Sequence, residues 1–169
     1  MAKEEKAPVA LGPVLYRPKY EVPNFDLFFG DDVSGLACMS NDNVQEGEGR
    51  LRYQAALGRG LLTAGDLEAA PLNVAWFYVF RVPTRDDDGQ IVGAHYRVVL
   101  MGRDGHTFET HAEGSVDTLR QWVAEFGWSC WDPAVPVKLA KRVSRANRTY
   151  HQLYVAGGSV APPTTAAAV

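Results

Sequence analysis

Val74-Ala75-Trp76-Phe77-Tyr78-Val79-Phe80-Arg81-Val82 is almost wholly β-branched or aromatic, the composition of a β-strand. Arg85-Asp86-Asp87-Asp88-Gly89 follows it, and the Asp-Gly pair supplies the positive φ angles of a hairpin turn. His95-Tyr96-Arg97-Val98-Val99-Leu100-Met101 is then the return strand. A second Asp-Gly pair, Asp104-Gly105, leads into His106-Thr107-Phe108-Glu109-Thr110-His111. The four segments spell a three-stranded antiparallel meander, and the rest of the fold is read outward from it.

Downstream, Ser115 can cap a helix whose first turn holds Asp117. Val116, Leu119, Val123 and Phe126 recur every three or four residues, and Gly127 fits the left-handed position past the helix end. Trp128 to Pro133 reads as a linker, Val135 to Val143 as a strand, Ser144 to Arg148 as a turn and Thr149 to Val155 as a final strand. Upstream, Arg50-Leu51-Arg52-Tyr53-Gln54 alternates like a strand, and Thr63 can cap a short helix over Ala64-Gly65-Asp66-Leu67-Glu68. Short extended segments are expected around Phe25–Phe29 and Gly35–Met39. The fold class that follows is α+β, a curved antiparallel sheet or open barrel with one main packed helix. An oligonucleotide-binding barrel is the alternative architecture.

With 169 residues, 46% hydrophobic and 11% aromatic, the chain can bury one core. Residues 1–13 read as a flexible arm, 14–155 as a single β-rich nucleic-acid-binding domain and 156–169 as a disordered, low-complexity tail. No apolar run is long enough to span a bilayer, and the charged start Met1-Ala2-Lys3-Glu4-Glu5-Lys6 does not read as a secretory signal. The expectation is a cytoplasmic protein (host cytoplasm if viral) with no membrane partner. Cys38 and Cys130, far apart, read as small buried hydrophobes rather than ligands.

Catalytic signatures are missing. Gly58-Arg59-Gly60 lacks the third glycine of a dinucleotide fingerprint and the Lys-Ser/Thr of a phosphate loop. Asp86-Asp87-Asp88 sits at a hairpin tip, where aspartates ordinarily solvate a turn. His95, His106 and His111 fall on neighbouring strands, but the spacing does not force them together into a metal site. Neither an enzyme nor a cofactor is expected.

Charge layout points elsewhere. Lys138, Lys141, Arg142, Arg145 and Arg148 all follow Asp132, after which there is no acidic residue. The preceding residues hold the other 12 of the 17 basic residues and all 20 acidic ones, so the C-terminal strip stands out as anion-facing. Strand alternation puts Trp76, Tyr78 and Phe80 on one face and Phe77, Val79 and Arg81 on the other. One face must be core; whichever is left open offers aromatic bodies for base stacking. Tyr150 and Tyr154 share a face of the last strand, and Tyr53 stands beside Arg50 and Arg52, where a tyrosine suits either stacking or half-burial.

Tyr78-Val79-Phe80-Arg81-Val82, Tyr96-Arg97-Val98-Val99-Leu100, Asp104-Gly105-His106-Thr107-Phe108-Glu109-Thr110, Gly114-Ser115-Val116 opening a helix that ends Glu125-Phe126-Gly127, and Trp131-Asp132-Pro133-Ala134-Val135-Pro136-Val137 occur in that order. Over residues 74–143 this order resembles the single-stranded DNA-binding proteins of bacteriophages and conjugative elements, some of which have a Whirly-type curved sheet followed by a helix. The resemblance implies a sequence-tolerant coat for single-stranded DNA, accessory to replication or recombination. It implies a homo-oligomer, and partners from the replication or recombination machinery. Arg81, Tyr96 and Arg97 would carry binding by resemblance. The charge and stacking arguments add Arg50, Arg52, Tyr53, Lys138, Lys141, Arg142, Arg148 and Tyr150. Two features depart from the pattern: no acidic C-terminal tip, and no counterpart for the first 70 residues. The competing expectation is a structural or protein-interaction component, of a virion or another assembly, that binds no nucleic acid.

Overall fold

The computed structural model describes residues 37–44 and 46–157. The segment Phe25–Phe29, the arm 1–13 and residues 158–169 lie outside the described residues. Six strands, Ala37–Ser40 (β1), Leu72–Arg85 (β2), Ile91–Gly102 (β3), Thr107–Thr110 (β4), Val135–Val143 (β5) and Thr149–Val155 (β6), form one antiparallel sheet. Among the described residues three helices accompany it: Gly47–Leu57 (α1), Ala64–Ala69 (α2) and Gly114–Phe126 (α3). The order β4-β3-β2-β5-β6 leaves β1 paired to β2 beyond the reach of β5. One groove is lined by Phe108 and Thr110 of β4 and by His151 and Leu153 of β6, from opposite ends of that order. The sheet therefore curls toward closure without completing it.

The meander forms with both Asp-Gly turns as expected: Gly89 and Gly105 have φ of +77° and +83°, where a side chain would be strained. Strands β2 and β3 run well beyond their expected ends as a long hairpin. Val74 pairs with Gly102 and Trp76 with Met101, so Ala75 is an extra residue, a bulge that turns Val74 and Phe77 to the same face. At this bulge β2 changes neighbours, from β5 (Leu72 to Val74) to β1 (Tyr78 to Arg81). Asn41 fills the gap: its Nδ2 donates to the Ala75 carbonyl at 3.1 Å and its Oδ1 accepts from the Phe77 amide at 2.9 Å. A side chain here does the hydrogen bonding of a missing strand.

The larger core lies between the concave face of the sheet and α3, with Phe77, Val79, Val98, Leu100, Leu119, Trp122 and Val137 buried in it. Trp128 and Trp131, expected in a linker, are buried here too, their rings 5.3 and 5.5 Å from that of Phe77. Helix α3 has the expected apolar face and ends at Gly127 with φ +89°, but it starts two residues early, with Glu113 at the cap, so Ser115 is inside the helix and buried. Helix α2 has the expected Thr63 cap: Thr63 Oγ1 accepts from the Asp66 amide at 3.2 Å while Asp66 Oδ2 accepts from the Thr63 amide at 2.8 Å.

Two expectations are corrected. Arg50–Gln54 is not a strand but the middle of α1. Alternation over five residues is too short to outweigh the helix-forming run Arg50-Leu51-Arg52-Tyr53-Gln54-Ala55-Ala56-Leu57. Its buried or half-buried residues Gly49, Arg52, Tyr53 and Ala56 recur at helical, not strand, intervals. Gly49 is required there, since an added Cβ would stand 1.7 Å from the Asn43 carbonyl oxygen. The second correction follows from the first. Neither face of β2 is open from Val74 to Arg81, because α1 covers Tyr78, Phe80, Val99 and Met101 in a second, smaller core while α3 covers the other side.

Candidate nucleic-acid interface

The eleven residues singled out by sequence divide into two groups. Five form the framework. Arg52 clasps Asp42, with Nε 2.8 Å from Oδ2 and Nη2 2.8 Å from Oδ1, and its guanidinium lies 4.0 Å from the centre of the Trp76 ring. Tyr78 Oη donates to the same carboxylate at 2.6 Å. Burial opposes ionisation of Asp42, but the hydrogen bonds from Arg52 and Tyr78 outweigh it and hold the carboxyl below its usual range. Burial, then its bond to Asp42, pushes the Tyr78 phenol far up, and the separate Arg52–Asp42 bond raises Arg52. Tyr53 packs 6.0 Å from Phe80, and burial raises its phenol.

Arg97 is the second clamp. It points to the α1 side, where Nη1 donates to the Ala56 carbonyl at 2.8 Å and Nη2 to that of Gly58. Helix α1 has no basic residue in its own last turn, so a residue of β3 caps its C-terminal carbonyls. Nε also donates to Glu109 Oε2 at 2.7 Å, and Nη2 joins it. Burial opposes ionisation of Glu109, but Arg97 overrides it and lowers that carboxyl. Arg81 is buried opposite Tyr96 on the α3 side, and burial raises the half-buried Tyr96 phenol. Arg52, Tyr53, Arg81, Tyr96 and Arg97 are thus engaged inside the fold rather than set on an open face.

The other six are Arg50, exposed on α1, and five residues of the β5–β6 hairpin. Its register puts Lys138 opposite Tyr154, Ala140 opposite Gln152 and Arg142 opposite Tyr150. Alternation sends this set to one face, because Val137, Leu139 and Leu153 turn the other way into the core. The face carries two cation–tyrosine pairs flanking a small alanine, with Arg145 and Arg148 exposed at the turn. None of these four cations forms an ion pair with a described residue. Lys141 belongs to the opposite face, across from His151, which meets Glu68 of α2 at 3.1 Å. Tyr154 and Arg145 complete the set. The local signal for them was the hairpin length, since a turn closing Ser144 on Arg148 dictates every later pair.

His95 and His111 approach, with ring centres 5.9 Å apart, whereas His106 turns to Asp104 at 2.8 Å. No group of three or more His, Cys, Asp or Glu is placed to hold a metal ion among the described residues. Asp86 Oδ1 accepts from the amides of Asp88 and Gln90 at 3.0 and 2.8 Å, which gives it a turn-forming role. No helix among the described residues is long and apolar enough to cross a membrane. No family model matches the chain, and neither a curated protein nor a solved structure matches it.

Proposed function

We propose that the protein binds single-stranded DNA on the β5–β6 hairpin, with little sequence preference, as an accessory to replication or recombination. The observation that carries the reading is the register Lys138–Tyr154 and Arg142–Tyr150, two cations with no ion pair to a described residue, each beside a tyrosine on one sheet face. Cations neutralise phosphates and aromatic rings stack on bases, and both are sequence-tolerant. Arg145 and Arg148 extend the charge around the turn.

Fluorescence anisotropy with a labelled poly-dT strand tests it, with duplex DNA as control. Four phosphate contacts give a log–log salt slope of about −2.8 for a single strand. Charge reversal at Lys138 and Arg142 weakens binding, and Lys141→Glu, on the opposite face, weakens it less. No binding at low salt and micromolar protein sinks the proposal. Leu51 (71% exposed) and Leu61 (69% exposed) on and beside α1 favour the second reading, a protein-docking module without nucleic acid, which that negative result would leave standing.

A further inference from the structure

Strand β6 ends the sheet, and its outer side has no pairing partner among the described residues. The Ala156 amide donates to the Pro136 carbonyl at 2.7 Å and the Ser144 amide to the Arg148 carbonyl at 2.8 Å. Both are rungs of the β5–β6 ladder, in which alternate residues direct their backbone groups to the same neighbour. Tyr150, Gln152 and Tyr154 therefore bond to β5, and the N–H and C=O groups of Thr149, His151, Leu153 and Val155 face outward.

Natural sheet edges are blunted by charges, prolines, bulges or a covering segment. The opposite edge has such a cover: the Leu62 amide donates to the Thr107 carbonyl at 2.9 Å, and Leu62 bridges to Phe108 of β4. Among the described residues, strand β6 has none of these devices. Thr149-Tyr150-His151-Gln152-Leu153-Tyr154-Val155 contains no carboxylate, lysine, arginine, proline or glycine, and its seven pairs with β5 run without a shift. A groove of about 920 Å³ runs along it toward β4 and α3, so space lies beside the strand. Two polar atoms on its side chains, Tyr150 Oη and Gln152 Oε1, are buried with no hydrogen-bond partner among the described residues.

We propose that β6 pairs antiparallel with β6 of a second copy of this chain, about a twofold axis at Gln152. In that register every outward-facing residue meets another: Thr149 opposite Val155 of the second copy, and His151 opposite its Leu153. Each such pair exchanges two backbone hydrogen bonds. Gln152 meets its own counterpart in a closely spaced, non-hydrogen-bonded position, where the two carboxamides can exchange an N–H···O bond and give Oε1 its donor. Tyr150 meets Tyr154 of the second copy, an aromatic cross-strand pair. No like charges oppose one another, because β6 carries none. This self-complementarity of all seven residues is why the occupant is a second copy rather than an unrelated strand. The six-stranded sheets join into one, and the cation–tyrosine pairs of both copies fall on a continuous face.

Sedimentation equilibrium of the full chain, without nucleic acid, tests the pairing independently of the DNA reading. The expected mass is twice the 18.5 kDa of one chain. Gln152→Glu and Gln152→Lys each place like charges on the axis and sediment as monomers, while an equal mixture of the two recovers the dimer. A wild-type monomer at sub-millimolar concentration overturns the proposal, as does a dimer that both substitutions leave intact. Amide exchange on the unmodified protein needs no variant to fold. The Thr149, His151, Leu153 and Val155 amides gain protection as concentration rises, and fast exchange at every concentration refutes the pairing.

Discussion

Replacing Arg97 by methionine keeps most of its aliphatic stem over Phe80, whose ring centre lies 5.4 Å from the guanidinium, and removes every donor. The Ala56 and Gly58 carbonyls lose their cap, and Glu109 loses the guanidinium that pairs with it. Glu109 remains about one-quarter exposed and the α1 terminus adjoins solvent, so water recovers part of the loss. Charge-assisted hydrogen bonds contribute about 1.5–3 kcal/mol each when buried, and breaking a fully buried pair costs about 3–5 kcal/mol. With partial solvation the expected loss is about 3 kcal/mol in total. For a domain of this size that lowers Tm by about 9 °C. Thermal and urea unfolding followed by circular dichroism read the change. Arg97→Lys recovers only a minor part, because an ammonium cannot span two carbonyls and a carboxylate as the planar fork does. Adding Glu109→Gln to Arg97→Met costs far less than the sum of the two single losses, since the pair acts as a unit. An Arg97→Met protein within about 0.5 kcal/mol of wild type would refute the clamp, because changes that small are typical of unremarkable surface sites.

The lowered carboxyls of Asp42 and Glu109 make stability fully present above their unfolded values of about 3.9 and 4.3, and lost as pH falls through the lower folded values. Asp42→Asn should therefore lower the urea midpoint at neutral pH and flatten its decline as pH falls below about 4. Asn41→Leu strands the Phe77 amide at the bulge and removes one of two donors to the Ala75 carbonyl, so about 2 kcal/mol of unfolding free energy should vanish in urea titration. Cys38 is buried with its thiol pushed well up by desolvation, whereas Cys130 is half-buried. A chromogenic disulfide reagent should titrate Cys130 alone in the native protein and both thiols in denaturant; rapid modification of both in the native state would contradict the packing of the α1-side core.

Local chemistry was enough for the elements whose instructions lie within a few residues of one another. Asp88-Gly89 and Asp104-Gly105 specify their turns, Thr63 and Asp66 cap α2, and Val116, Leu119 and Val123 declare the buried side of α3. The C-terminal hairpin follows in the same way, from two apolar-alternating runs around a short turn. From these alone come the antiparallel α+β class and the strip of cations after Asp132. What escaped local reading depends on partners far along the chain. Arg50–Gln54 alternates like a strand and is helical, because Tyr53 and Ala56 pack with Tyr78, Phe80 and Met101 in the smaller core. Arg52 and Arg97 look like phosphate-seeking cations in sequence, yet Asp42, Glu109 and the end of α1, between 10 and 41 residues away, consume their donors. Only the folded chain distinguishes a cation spent on the framework from one left for a ligand, because a charge is neutralised by what lies within a few ångströms in space and not by its neighbours in sequence.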